Sequence, residues 1–180
     1  MKTKHIIFVA LFAALIAISA QIRIQLGPIP TTLQLPIILL AGLILGSRLG
    51  ALSASVYLLI GLIGVPVFTS GGGLGSFLSP SFGFIIGFIP AAYIAGIGFK
   101  DTHAFSARLF YVYTAIIVAF MIGVAYFIFV MNVVLNSPIG FTDALMLTVT
   151  PFIVKDLIMG TLTVMFARVL MTRGVLRVVQ

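Results

Sequence analysis

Cysteine and glutamate are both absent from this chain, and the only carboxylates in its 180 residues are Asp101, Asp143 and Asp156. Without cysteine there is no disulfide framework and no thiolate metal site. Charged residues make up 7% of the chain, too few to clothe a soluble domain of this length in a water-facing surface. No cluster of His, Asp and Glu surrounds His5 or His103, which removes the usual metal and general-base arrangements. No nucleophile stands beside a base, and "GGGLG" lacks the Lys-Ser/Thr that a phosphate loop requires. These absences point away from an enzyme, from a bound cofactor and from any motor of the chain's own.

What is present is apolar. Hydrophobic residues are 62% of the sequence and the mean hydropathy is +1.32, so lipid is the solvent for most of the surface. The expected class is an all-α integral membrane protein in the cell membrane, built as a single domain over residues 1–180. The formal charge of +7 does not argue for nucleic acid, because the cations stand at the ends of hydrophobic runs rather than in an aromatic-interleaved patch.

Runs of about 20 apolar residues can cross a hydrocarbon core of about 30 Å, and six segments qualify or nearly do. They cover residues 5–25, 34–46, 48–66, 82–99, 107–134 and 148–172. The second is short, with "GPIPTTLQLP" before it and "GSRLG" after it, signals that end helices. The opening "MKTKHIIFVALFAALIAISAQ" has the outline of a secretory signal, yet one apolar segment after another follows it, so it reads as a membrane helix.

Lys and Arg collect in cytoplasmic loops. With the N-terminus inside, the inner face takes Lys2, Lys4, Arg48, Lys100, Arg108, Arg168, Arg173 and Arg177, and the outer face only Arg23. The expectation is a six-helix bundle with both termini cytoplasmic. "RIQLGPIPTTLQ", the glycine-rich "PVFTSGGGLGSFLSPS" and "NSPIGFTDA" then lie outside.

Lys155 belongs to neither face. In "TPFIVKDLIMG" it and Asp156 fall about one to two turns below the outer surface, where ionisable groups face a bundle interior or a watery cavity. Neighbouring helix positions diverge by about 100°, so each of the two is expected to need a partner other than its neighbour. Thr31, Thr32, Gln34, Ser79 and Ser81 lie at the same outer level. Together with Asp156 they suggest an outward-opening cleft for a small molecule with polar ends, whereas alone they would be ordinary turn chemistry.

The joint pattern of "PIPTTLQ", "GSRLGALS", "YLLIGLIGVPVF" and the glycine-rich loop resembles the BioY family, the biotin-specific S component of energy-coupling factor transporters. The likeness covers essentially the whole chain. It implies six helices, a biotin pocket at the outer face and a covering first loop, expected at residues 26–36. It also implies Asp156 as acceptor for the ureido N–H groups and Thr32 and Gln34 in the covering segment. Where the family reads Pro-Thr-Gly-Gly-Tyr before the fourth helix, this chain has Pro80-Ser81-Phe82-Gly83-Phe84, which makes Ser81 and Phe84 candidate pocket residues. Where the family has a lysine three positions after the aspartate, this chain has Met159, and its lysine is Lys155 instead.

On the first helix, Ala10/Ala14 and Ala13/Ala17 form a small-residue face of the kind that lets helices approach closely in lipid. The resemblance implies that this face docks onto a transmembrane T component carrying two ABC-type ATPases. Gly42/Gly46, Gly46/Gly50 and Gly83/Gly87 have the same spacing and read as internal packing. The alternatives are a stand-alone secondary transporter, for which the inverted repeats and broken helices are missing, or an S component for another small vitamin.

Overall fold

The computed structural model describes residues 3–25, 29–98 and 104–173. Lys2, Leu26, Gly27, Pro28, Lys100, Asp101, His103 and Arg177 lie outside the described residues.

Among the described residues, seven α-helices follow in this order: α1 Thr3–Gln21, α2 Gln34–Leu45, α3 Ser47–Leu62, α4 Phe82–Ile97, α5 Phe105–Phe129, α6 Phe141–Thr148 and α7 Thr150–Thr172. A π-helical turn, Val130–Val134, prolongs α5. Between α1 and α2 the chain forms a two-stranded antiparallel ribbon, β1 Arg23–Gln25 with β2 Pro30–Thr32, in the register Arg23 to Thr32 and Ile24 to Thr31. The ribbon corrects two expectations. The first helix stops at Gln21 rather than residue 25, and the segment expected as a covering loop over 26–36 is strand at 30–32 and helix from Gln34 onward.

α6 is a third correction, because "NSPIGFTDA" was expected to be loop throughout. Pro151 accounts for the break that separates α6 from α7. Lacking an N–H, it cannot bond the carbonyl four residues earlier, but it fits the first turn of a new helix. The two helices meet at a 47° bend.

Among the described residues, α1 and the α5 stretch Phe105–Val134 are long and apolar enough to cross a membrane, and the bent α6–α7 pair makes a third span if taken as one. α2, α3 and α4, of 12, 16 and 16 residues, reach about 18 to 24 Å at 1.5 Å per residue. The third and fourth segments are thus shorter than the runs 48–66 and 82–99 suggested. The glycine loop takes the extra residues after α3, and α4 closes at Gly98.

α2 sits at the centre. It packs against α1, α3, α4 and α7, and ten of its twelve residues are buried. An apolar helix with no polar face is stable when protein surrounds it on every side. Gly46, at φ 82°, turns the chain from α2 into α3, a left-handed conformation that glycine adopts without a Cβ clash. Gly42 lies against the backbone of Ala92 and Gly96, Gly50 against Gly42, and Gly83 and Gly87 against Tyr126 and Ala119 of α5. Small residues here let helices touch, as their spacing suggested, with Gly46 serving the turn instead.

Candidate functional site

The N-terminal turns of α2, α4 and α7, the later half of α5 and strand β2 come together at one end of the bundle around a partly open cavity, about 620 Å³ of space with the open solvent at its mouth included. Thr32, Gln34, Ser81, Phe84, Lys155 and Asp156 all line it, although they come from four elements spread over 125 positions of sequence. Met159 is not among the lining residues.

The polar wall is held by specific bonds. Gln34 is 4% exposed. Its Nε2 donates to the Tyr57 hydroxyl at 2.7 Å and its Oε1 accepts from Thr32 Oγ1 at 3.1 Å. The Gln34 backbone N–H donates back to Thr32 Oγ1 at 3.3 Å, a hydroxyl turn leading into α2. Tyr57 in turn donates to the Val67 carbonyl at 3.3 Å. Ser79 and Ser81 share a hydrogen bond at 2.9 Å where α4 begins. These groups are committed to one another, and bonds within the protein set their geometry.

One lining atom is left over: the buried Oγ1 of Thr31 has no hydrogen-bond partner among the described residues. Buried polar atoms without partners are rare, and each calls for an explanation. Asp156 is buried as well, and its Oδ1 has an ion-pair contact, Lys155 Nζ at 2.8 Å. This overturns the expectation that adjacent helix positions cannot satisfy one another. The flexible four-carbon stem of lysine lets Nζ swing across the arc between the two positions, since both side chains flank the same cavity.

Lys155 Nζ also donates to the Thr32 carbonyl at 3.1 Å, and Arg23 on β1 donates to the Thr69 carbonyl. Both strands of the ribbon are therefore tied by a cation to another part of the cavity wall.

Apolar and aromatic side chains complete the enclosure. Ile29, Leu35, Ile85, Phe88, Ala119, Phe120 and Phe152 face the cavity, and the rings of Phe84 and Phe120 meet edge to face at 6.0 Å and 86°. Sequence reasoning missed Phe88, Phe120 and Phe152. Two had a usable signal: Phe88 lies four residues after Phe84 and Phe152 four before Asp156, each on the same helix face as a predicted pocket residue. Thr31, expected among the polar groups of the cleft, does line it, whereas Tyr57 stood inside a quoted motif with no assigned role and holds Gln34 from behind the wall.

The alanines of α1 divide. Ala10 and Ala14 are exposed. Ala13 is 3% exposed and belongs to the core, and Ala17 packs partly buried against it. A single alanine docking face made of all four is therefore corrected: Ala13 and Ala17 lie on the inward side of the helix, about 100° per residue away from their outward neighbours.

Comparison with known proteins bears on what such a cavity holds. The profile of the BioY family matches residues 1–175. A probable biotin transporter BioY of Pyrococcus horikoshii is 38% identical over 168 residues, 93% of this chain and 96% of that protein. A biotin transporter BioY of Thermotoga maritima is 31% identical over 156 residues, 86% and 88% of the two chains. Among solved structures, the crystal structure of the S-component for biotin from an ECF-type ABC transporter superposes with a TM-score of 0.80 at 30% identity, covering 95% of this chain and 92% of that one.

Proposed function

This chain belongs to the BioY family, and from that premise we infer that it is the biotin-binding S subunit of an ECF-type vitamin importer. It is a transporter component rather than an enzyme. The observation that carries the reading, beside the family, is the cavity. It offers an apolar, aromatic-walled interior, a buried carboxylate at one side and an unsatisfied hydroxyl on the ribbon. Biotin complements such a site, with two ureido N–H donors, one carbonyl acceptor and a largely apolar ring system and chain. Asp156 accepts from the ureido N–H groups, with Thr32, Gln34, Ser81, Phe84 and Lys155 around the bound vitamin.

In this reading the helices cross the membrane six times, with α6 and α7 as one broken span. Both termini are cytoplasmic and the cavity faces outward. Support comes from the charges: Lys4, Arg48, Arg108 and Arg168 belong to helix ends opposite those that form the cavity, as the positive-inside rule requires. With no motor of its own, the subunit works with a T component and two ABC-type ATPases. Ala10 and Ala14, four apart and exposed, are the small-residue pair available on α1 for a close helix contact.

The test begins with the chain alone. Purified without partners, it is expected to retain biotin, identified by mass spectrometry of the denatured sample and by calorimetric titration after stripping. A different vitamin in the extract, with no heat on adding biotin, would replace biotin as the substrate. Docking is tested separately. Ala14→Leu, best combined with Ala10→Leu, is expected to reduce co-purification with the T component severalfold while biotin affinity stays unchanged. Assembly equal to that of the unmodified chain would remove α1 as the docking helix.

A further inference from the structure

We propose that Lys155 is a latch: it ties strand β2 to the carboxylate of α7 and so governs how fast ligand enters and leaves the cavity, rather than how tightly it is held. The proposal deepens the biotin reading and rests on it.

Residues 29–32, which run into and form β2, are part of the cavity wall, so a ligand passing on that side requires the ribbon to shift. Across 123 positions of sequence, a hydrogen bond bridges that ribbon to α7, from Lys155 Nζ to the Thr32 carbonyl at 3.1 Å. The same ammonium stands 2.8 Å from Asp156 Oδ1. One cation thus joins the short ribbon to the long helix that carries the site carboxylate. A charge-assisted bond in a partly desolvated setting is stronger than a neutral one, which suits it to hold a three-residue strand. Lys155 is the only cation among the lining residues, and its side chain is 34% exposed, so it can swing away from the ribbon without leaving its charge stranded in apolar surroundings.

The geometry gives the latch a kinetic signature. Both of its bonds are made within the protein, with the Thr32 carbonyl and Asp156 Oδ1, so breaking it eases both entry and exit. A lysine that paired with the ligand's tail carboxylate would behave differently: its loss would speed exit alone, and only for a ligand with a charged tail.

The experiment measures association and chase-out of radiolabelled biotin, and of biotin amide, on the purified full chain in detergent, with Lys155→Met beside the unmodified protein. The expected result is that both rates rise about tenfold, the factor expected when a bond to a charged group is lost. They rise alike for the two ligands, so that Kd moves by less than either rate. Unchanged rates overturn the latch. So does a faster exit confined to biotin, with entry unaltered, which makes Lys155 a tail-binding residue. A ligand-free readout separates this proposal from the biotin reading. Amide hydrogen exchange at Thr31 and Thr32 is expected to quicken at least severalfold in Lys155→Met, and equal protection in the two proteins overturns the latch whatever the vitamin is. Failure of the unmodified chain to bind biotin, with faster exchange in the variant, removes the substrate assignment and leaves the latch standing.

Discussion

Asp156→Asn is expected to weaken biotin binding by about tenfold or more, measured by calorimetric titration of purified protein in detergent. Asp156 is 5% exposed and lines the cavity, and the Lys155 ammonium at 2.8 Å meets one oxygen of its carboxylate, a group with further lone pairs for ligand donors. Hydrogen bonds to an ionised acceptor contribute about 1.5 to 3 kcal/mol, and leaving ligand donors unpaired in a closed site costs a similar amount. Each 1.4 kcal/mol is a factor of about ten in affinity. Asparagine keeps the shape and one acceptor but loses the charge, so the change isolates electrostatics from packing. It also leaves the half-buried Lys155 ammonium without its counterion, and losing one member of a partly desolvated pair can destabilise a fold. A melting curve beside the titration separates these effects. A folded Asp156→Asn protein with biotin affinity equal to that of the unmodified chain would sink the assignment and leave Asp156 as a packing group that anchors Lys155.

The other large effect is expected far from the charges. Gly42→Val should lower the melting midpoint in detergent by about 10 °C, the shift that roughly 3 kcal/mol or more produces in a chain of this size. A Cβ at Gly42 meets the Ala92 carbonyl oxygen, the Gly96 nitrogen at 2.9 Å and the Ala95 side chain at 3.1 Å. Two of these three are backbone atoms of α4, which cannot rotate aside, so α2 and α4 must separate. In lipid, where close van der Waals contact rather than water exclusion holds helices together, that separation removes much of what seats α2. Because α2 carries Gln34 and Leu35 into the cavity, ligand affinity should fall with stability. Gly75→Val is the matched control, since nothing lies within 4 Å of a Cβ there. A Gly42→Val protein that melts with the Gly75→Val protein would show that the α2–α4 contact is looser than its geometry implies.

Much of this protein was legible from its residues for one physical reason. In hydrocarbon every backbone polar group must be satisfied within its own segment, so long apolar runs become helices wherever proline and glycine allow. The positions of α1 to α5 and α7 follow from that rule. The polar candidates were legible for a related reason. A carboxylate in an apolar helix is costly enough to stand out, and Asp156, Thr32, Gln34 and Ser81 were conspicuous against their surroundings. The same uniform apolarity hides everything that depends on which way a side chain faces. α1 is hydrophobic all round, so its sequence gave no sign that Ala13 turns into the core while Ala10 and Ala14 turn out. Phe88, Phe120 and Phe152 are three apolar residues among many, and only the packing of α4 against α5 and the placing of α7 beside α2 bring their rings to one cavity. Periodicity also set Lys155 and Asp156 apart, because it describes where Cβ atoms point and not where a flexible stem ends. Tertiary structure brought β2 and α7 together, and a shared cavity with a carbonyl within reach drew the ammonium onto both Thr32 and Asp156.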